Sequence, residues 1–293
     1  MSIQQVADAH YRRSQAHAAR VVAAALAVWR EVGPAGWQTE VRRVAGLLAA
    51  GQLVAAVQAA EYLLAVADEQ GMDPASATLV PRALAGTAAN GRELTDILSI
   101  PAQRATALLD AGATAADAAT SGAATLTRIV GNEIQTATNT ATQVGMAGHQ
   151  SMTGYIRLTN PPTCGRCAVQ AGKWFEWNAG FDRHPLCDCV HVPAAQARDV
   201  DPLRTHPDDY FKSLSEAEQN RLFGAAASDA IRSGPPMWRA VATDRVTKKK
   251  RYKKRGRVRS GMYAPRLVER QIEGRSRAAA VDALTRSGHL MTA

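Results

Sequence analysis

Aromatic residues are scarce in this 293-residue chain, at 5% of the total, and the apolar share of 46% is carried chiefly by alanine. Alanine is the best helix former and packs poorly in sheets, so a mainly α protein with thin helical cores is expected. Cysteine is scarcer still. The four present all fall between Cys164 and Cys189, which argues against a disulfide framework spread over a secreted fold. Long apolar runs are also missing. The most apolar stretch, Val44 to Ala60, is interrupted by Gln52 and Gln58, and falls short of the roughly 20 residues a spanning helix needs. The first residues mix acids, bases and Gln and show neither part of a signal peptide, so no membrane partner is expected. Four catalytic signatures do not occur: H-E-x-x-H, the G-x-x-x-x-G-K-[ST] phosphate loop, the G-x-S-x-G elbow, and the zinc-deaminase pair H-x-E and P-C-x-x-C. The chain is therefore expected not to be an enzyme.

Charge of both signs is present but unevenly placed. The formal net charge is +9, and the segment KKKRYKKRGRVR alone holds nine basic residues and no acidic one: Lys248, Lys249, Lys250, Arg251, Lys253, Lys254, Arg255, Arg257 and Arg259. Without them, 26 basic residues face 26 acidic ones, so a neutral body carries one basic segment. Such a segment either contacts phosphates or is a solvated tail.

Helical periodicity dominates the first half. A helix is expected from Ser2 to Val32, stopped by Gly33-Pro34, and a second from Trp37 to Gln70, either continuous or broken near Gly51. Shorter helices are expected at Arg92 to Leu98 and Pro101 to Asp110. From Ala115 to Ala147, Val130, Ile134, Ala137, Ala141 and Val144 recur at steps of four and three and predict one buried stripe. Short alternating strands follow at Tyr155 to Leu158, Lys173 to Trp177 and Cys189 to Val192. Helix returns at Ser215, where Glu218 completes a capping box, and ends at Gly234-Pro235-Pro236. A last amphipathic stretch covers Pro265 to Ser287. The expected organisation is a helical domain over 1–150, a small β-rich zinc-binding insertion over 151–200, a short helical region over 201–240, and the basic segment with a C-terminal helix over 241–293.

The chemistry is concentrated in TCGRCAVQAGKWFEWNAGFDRHPLCDC. Cys164, Cys167, His184, Cys187 and Cys189 run as C-x2-C, sixteen residues, then H-x2-C-x-C, the arrangement by which small zinc modules close a tetrahedron from two ends of a hairpin. Five candidates compete for four positions, with His184 and one of Cys187 and Cys189 expected to join Cys164 and Cys167. The competing reading is thiols or disulfides without metal. A shell filled by Cys and His leaves no open coordination position, so the zinc is expected to be structural. Gly165 suits a positive-φ knuckle. Trp174, Phe175, Trp177 and Phe181 are expected to pack over the metal, and Glu176, Asp182 and Asp188 form no metal-binding constellation of their own.

Three stretches together resemble the phage Mu F-like minor head proteins of tailed bacteriophages. The first is RIVGNEIQTATNTA (Arg128 to Ala141) in the helix before the metal motif. The second is the passage through Tyr155-Ile156-Arg157 into TCGRCAVQAGKWF and HPLCDC. The third is DDYFKSLSEAEQNRLFGAAASDAIRSG (Asp208 to Gly234), similar to the actinobacteriophage branch. The resemblance covers about Ala115 to Gly234. Asp188 stands where the family usually has Arg between the last two cysteines, which removes a positive charge beside the thiolates. The resemblance implies a minor virion protein acting in head assembly or DNA packaging, found in the host cytoplasm during assembly and then in the phage head. Its partners would be the portal or the major capsid protein, and packaged DNA through residues 248–259. Some relatives carry ADP-ribosyltransferase domains, but no Arg, Ser-Thr-Ser and Glu-x-Glu arrangement supports one here. A stand-alone zinc-dependent nucleic-acid-binding protein and a metal-dependent nuclease are the rival classes.

Overall fold

The computed structural model describes residues 1–160, 162–180, 187, 189–241 and 266–292. The protein is mainly helical, with a small strand-containing insertion that holds the cysteines. Helix α1 (Ile3–Glu69) is a helical hairpin, its arms 3–32 and 34–69 meeting at Gly33, where φ is 63° and ψ −178°. Only glycine adopts that backbone cheaply, and Pro34 pre-sets the first turn of the next arm. The arms run antiparallel. Arg13 pairs with Glu61 at 2.5 Å, the His17 ring lies 2.8 Å from the Gly51 carbonyl, and His10 stacks on Tyr62 with ring centroids 3.9 Å apart. Of the two alternatives for the second arm, the continuous one holds, with no break near Gly51. A side chain there would meet Ile134 Cδ1 at 2.7 Å and Val21 Cγ2 at 2.9 Å, so this glycine serves close helix packing within a continuous arm.

Helix α2 (Leu94–Asp110) is continuous through the buried Pro101, where two shorter helices were expected. The second arm of the hairpin is tied to it by Trp37, whose indole donates to the Leu98 carbonyl at 2.6 Å and meets Trp29 edge-on at 5.0 Å. Helix α3 (Ala115–Ala147), capped by Thr114, runs through the centre. The expected stripe is buried, but so is every residue from Asn132 to Ala147. Several of the polar side chains among them find partners: Thr138 and Thr142 donate to the carbonyls four residues back, Gln15 reaches Gln135, and Glu133 accepts from the Ala89 amide, while Asn139 Nδ2, Thr140 Oγ1 and Gln143 Nε2 are buried without one among the described residues. A helix wrapped on all sides needs internal partners for its polar groups.

The insertion begins directly after α3. Strands β2 (Gly154–Leu158), β3 (Trp174–Glu176) and β4 (Val190–Ala194) form an antiparallel sheet in the order β3-β2-β4, with Arg157 opposite His191. Both faces of β2 and β4 are buried. One face carries Ile156, Leu158, Val190 and Val192 against Val200 and Leu203, and the other carries Tyr155 and Cys189 against Tyr62, Leu63 and Val66 of the hairpin. Helix α4 (Gly165–Ala168) lies between β2 and β3, and α5 (Pro207–Ser213) follows the sheet. The single helix expected from Ser215 to Gly234 is two, α6 (Glu216–Phe223) and α7 (Ala225–Arg232), because Gly224 turns at φ 90°. The capping box of Ser215 and Glu218 forms as expected. The C-terminal stretch is α8 (Arg266–Glu269), a turn, and α9 (Arg277–Arg286). Strand β5 (Leu290–Thr292) then returns to pair with β1 (Ala77–Leu79) beside the end of α3.

Burial lowers the His10 pKa to about 4, with Arg13 adding to the effect. The unfolded ring takes up protons below its ordinary value while the folded one stays neutral. The packing is therefore fully stable above about pH 6.5 and loses up to about 3 kcal/mol as the pH falls toward 4. Urea denaturation at pH 7 and pH 4.5 is expected to show this loss, and His10→Leu, which cannot titrate, is expected to flatten that part of the profile.

Candidate metal centre

The metal motif is held at three points of the fold. Cys164 and Cys167 sit at the start and within the single turn of α4, Cys189 immediately precedes β4, and Cys187 lies two residues before it. The Sγ atoms of Cys167, Cys187 and Cys189 all lie within 4.8 Å of one another, and the Cys167–Cys187 separation is 3.4 Å. Cys164 shares a hydrogen bond with Cys167. None of the four forms a disulfide, and a sulfur pair at 3.4 Å is far longer than an S–S bond of about 2.05 Å. Four thiolates around a tetrahedral ion with metal–sulfur bonds of about 2.3 Å stand roughly 3.8 Å apart, close to the spacing here. Cys167, Cys187 and Cys189 are buried, and the cluster is compatible with a metal ion such as zinc.

Cys187 and Cys189 both approach Cys167. Cys167, Cys187 and Cys189 gather as one buried group of sulfurs with Cys164 bonded to it, while His184 lies outside the described residues, as do Phe181, Asp182 and Asp188. Crowding keeps Cys167 and Cys189 protonated when no cation is bound. Hydrogen bonds with Cys164, Cys187 and Cys189, together with burial, raise the Cys167 pKa. At Cys189 the bond with Cys167 favours the thiolate, but Cys187 and burial outweigh it and the pKa is raised. A divalent cation reverses this balance, because it supplies the charge that four adjacent thiolates need.

Two supports were not foreseen from the sequence. Arg157, buried on β2, places its guanidinium 5.6 Å from the Phe175 ring centroid, and its charge favours the Cys189 thiolate. The third resemblance stretch docks on the cysteine turn itself. The Tyr210 hydroxyl accepts from the Thr163 amide at 2.8 Å and donates to the Thr163 carbonyl at 3.1 Å, and Phe223 covers Gly165. Gly165 is the first residue of α4 and takes no positive φ. Glycine fits there because a side chain would meet Phe223 Cδ1 at 2.7 Å.

The expected aromatic cover is only partly present. Phe175 packs in the cysteine cluster and stacks on Tyr155 at 5.3 Å. Trp174 instead packs on the opposite sheet face, and Trp177 packs toward α3 beneath the Arg277 guanidinium at 4.3 Å. Period-two alternation sends neighbouring side chains to opposite faces of a strand, so Trp174 and Phe175 cannot share one cover. Beside the cluster lies a half-open cleft of about 410 Å³ lined by Gln15, Gln135, Thr163, Cys164, Cys167 and Leu222, among others. The nine basic residues from Lys248 to Arg259 lie outside the described residues. No protein-family model, curated protein or solved structure matches this chain.

Proposed function

We propose that this chain is a minor structural protein of a tailed-phage head, acting in capsid assembly or DNA packaging near the portal or inner capsid, with a structural zinc bound by Cys164, Cys167, Cys187 and Cys189. The observation that carries the reading is the joining of the three resemblance stretches. The helix bearing Arg128 to Ala141 leads directly into β2, β2 leads into the cysteine turn, and Tyr210 and Phe223 of the third stretch pack on that turn. A structural rather than catalytic metal is supported by the sulfur-rich, buried donor set. It is supported also by the cleft, whose described lining residues include no carboxylate or imidazole to act as a general base. The test is the position of the labelled chain in purified particles. A few copies at the portal vertex or in the capsid lumen are expected, and absence from both immature and mature particles overturns the reading.

The basic segment extends the proposal to packaged DNA. Nine phosphate contacts would give a log–log salt slope of at most about −8. Deleting residues 245–260 is expected to abolish salt-sensitive retention of the purified protein on DNA, and unchanged retention removes DNA from the proposal. A marked sequence or structure preference would instead favour a stand-alone nucleic-acid-binding protein.

A further inference from the structure

The outward face of the second hairpin arm is apolar and spaced for a partner helix. Leu47, Leu53, Val54 and Val57 are each about two-fifths exposed, Leu64 is 70% exposed, and Ala50 is exposed between them. Leu47 and Val54 are seven apart, as are Ala50 and Val57, and Val57 and Leu64, while Leu53 stands three after Ala50 and four before Val57. That is the 3.5-residue repeat of a coiled-coil seam over about 26 Å of helix, interrupted only at Glu61, whose carboxylate is held by Arg13 of the first arm. The opposite face of the same arm, with Val44, Leu48, Ala55 and Val66, is already buried in the fold. A surface helix usually spends its apolar residues on the inward face alone, so an apolar stripe on the outside calls for a second partner.

The charges at the two ends of the stripe select that partner. Arg42 and Arg43 are exposed at its beginning, and Asp68 and Glu69 are exposed at its end. Arg43 touches only Glu40, three residues away, at 3.3 Å, and Asp68 has no ion-pair partner among the described residues. We infer that this face pairs with the same face of a second copy of the chain, antiparallel and about a two-fold axis. In that register Arg43 meets the partner's Asp68, Leu47 meets the partner's Leu64, and Val54 meets the partner's Val57. Parallel pairing would set like charges against one another at both ends, whereas the antiparallel pair brings Arg43 to Asp68 at both ends, Glu69 being already held by the Met1 ammonium at 3.2 Å. The interface is isologous, so it closes at two copies and does not propagate. The basic segment of residues 248–259 does not fit the face, because it offers no apolar repeat.

The experiment is the molar mass of the full-length protein by light scattering and sedimentation velocity. Wild type is expected to be a dimer at about 50 µM, and the double variant Val57→Glu, Leu64→Glu a monomer with unchanged helical content, since both side chains are solvent-facing. Arg43→Asp is expected to weaken the dimer about tenfold or more, and adding Asp68→Arg to it should restore most of the loss. Only the antiparallel register predicts that rescue. A monomeric wild type overturns the inference, as does failure of the charge exchange to rescue. Binding of monomeric protein to anionic phospholipid vesicles that Val57→Glu abolishes would overturn it in favour of a lipid surface.

Discussion

Cys167→Ser is expected to release the metal and unfold residues 153–194 while the three long helices remain folded. Cys167 is the residue that hydrogen-bonds with all three other cysteines, so its loss leaves a three-sulfur remnant with one donor missing from the middle. The sheet it anchors is too small to stand alone: its strands are five, three and five residues long. Structural zinc contributes roughly 10 kcal/mol or more to the folding of comparable modules, as much as the whole stability of many domains. The long helices should survive because their core is a separate one. Trp29, Trp37, Leu98, Leu126 and Ile134 pack together without touching the cysteine cluster, which instead gathers Tyr62, Leu63, Val66, Met146 and Met152. Metal analysis should give about one equivalent for the native protein and under about a quarter for the variant. Amide exchange should show lost protection over 153–194 with most far-UV helical signal retained. Treating the native protein with a strong chelator should reproduce both results. Full protection in metal-free protein would mean that packing alone holds the module.

Much of this architecture is legible in the sequence. The Gly33-Pro34 stop, the bounds of the 115–147 helix, the three strands and the Ser215–Glu218 capping box all follow from local signals. Such signals act within a few residues of the position they govern. The failures share a different cause. Gly51 and Gly165 look like a helix break and a positive-φ turn, but each is glycine because a distant side chain, Ile134 or Phe223, presses against it. Trp174 and Trp177 lie near the cysteines in sequence, yet the pleat and the following turn send them to other faces. The residues from Asn132 to Ala147 read as a helix with one apolar stripe. Their burial on all sides depends on the hairpin, α2 and the C-terminal region closing around them. At the metal site the cysteines were readable by spacing, whereas Arg157 and Tyr210, which brace them, carry no signature beyond being charged or aromatic. The pairing of β1 with β5 joins residues such as Thr78 and Met291, 213 positions apart, and no periodicity reports that contact.

The Arg277 side chain ties the C-terminal region to the rest of the fold, and Arg277→Ala is expected to lower stability by about 4 kcal/mol. The Arg277 guanidinium donates to the carbonyls of Met146 at 2.7 Å, Ala147 at 3.4 Å, His149 at 2.6 Å and Met152 at 2.7 Å. Three of these lie at the end of α3, Met146 and Ala147 in its last turn and His149 just past the Gly148 cap, where the helix presents its negative dipole end. The fourth belongs to the connection into β2, so one cation joins α9, α3 and the insertion. The face of Trp177 closes over it at 4.3 Å. Charged hydrogen bonds are worth about 1.5–3 kcal/mol each, but bonds to one group do not add, which sets the expected total well below their sum. Arg277→Lys should recover less than half, because an ammonium cannot match a planar fork addressing four acceptors. A second readout separates this role from general packing. The His149 pKa is lowered by burial first and by the Arg277 charge second, while Asp73 raises it. Arg277→Ala should therefore shift the His149 titration upward in the proton NMR spectrum, and Arg277→Lys should leave it nearly in place. Amide protection at 77–79 and 290–292 should fall together in the alanine variant, since β5 reaches β1 only while α9 stays clasped to the end of α3. A stability loss under about 1 kcal/mol with an unmoved His149 would show that the apolar packing of Ile272, Leu284 and Leu290 holds the region without the clasp.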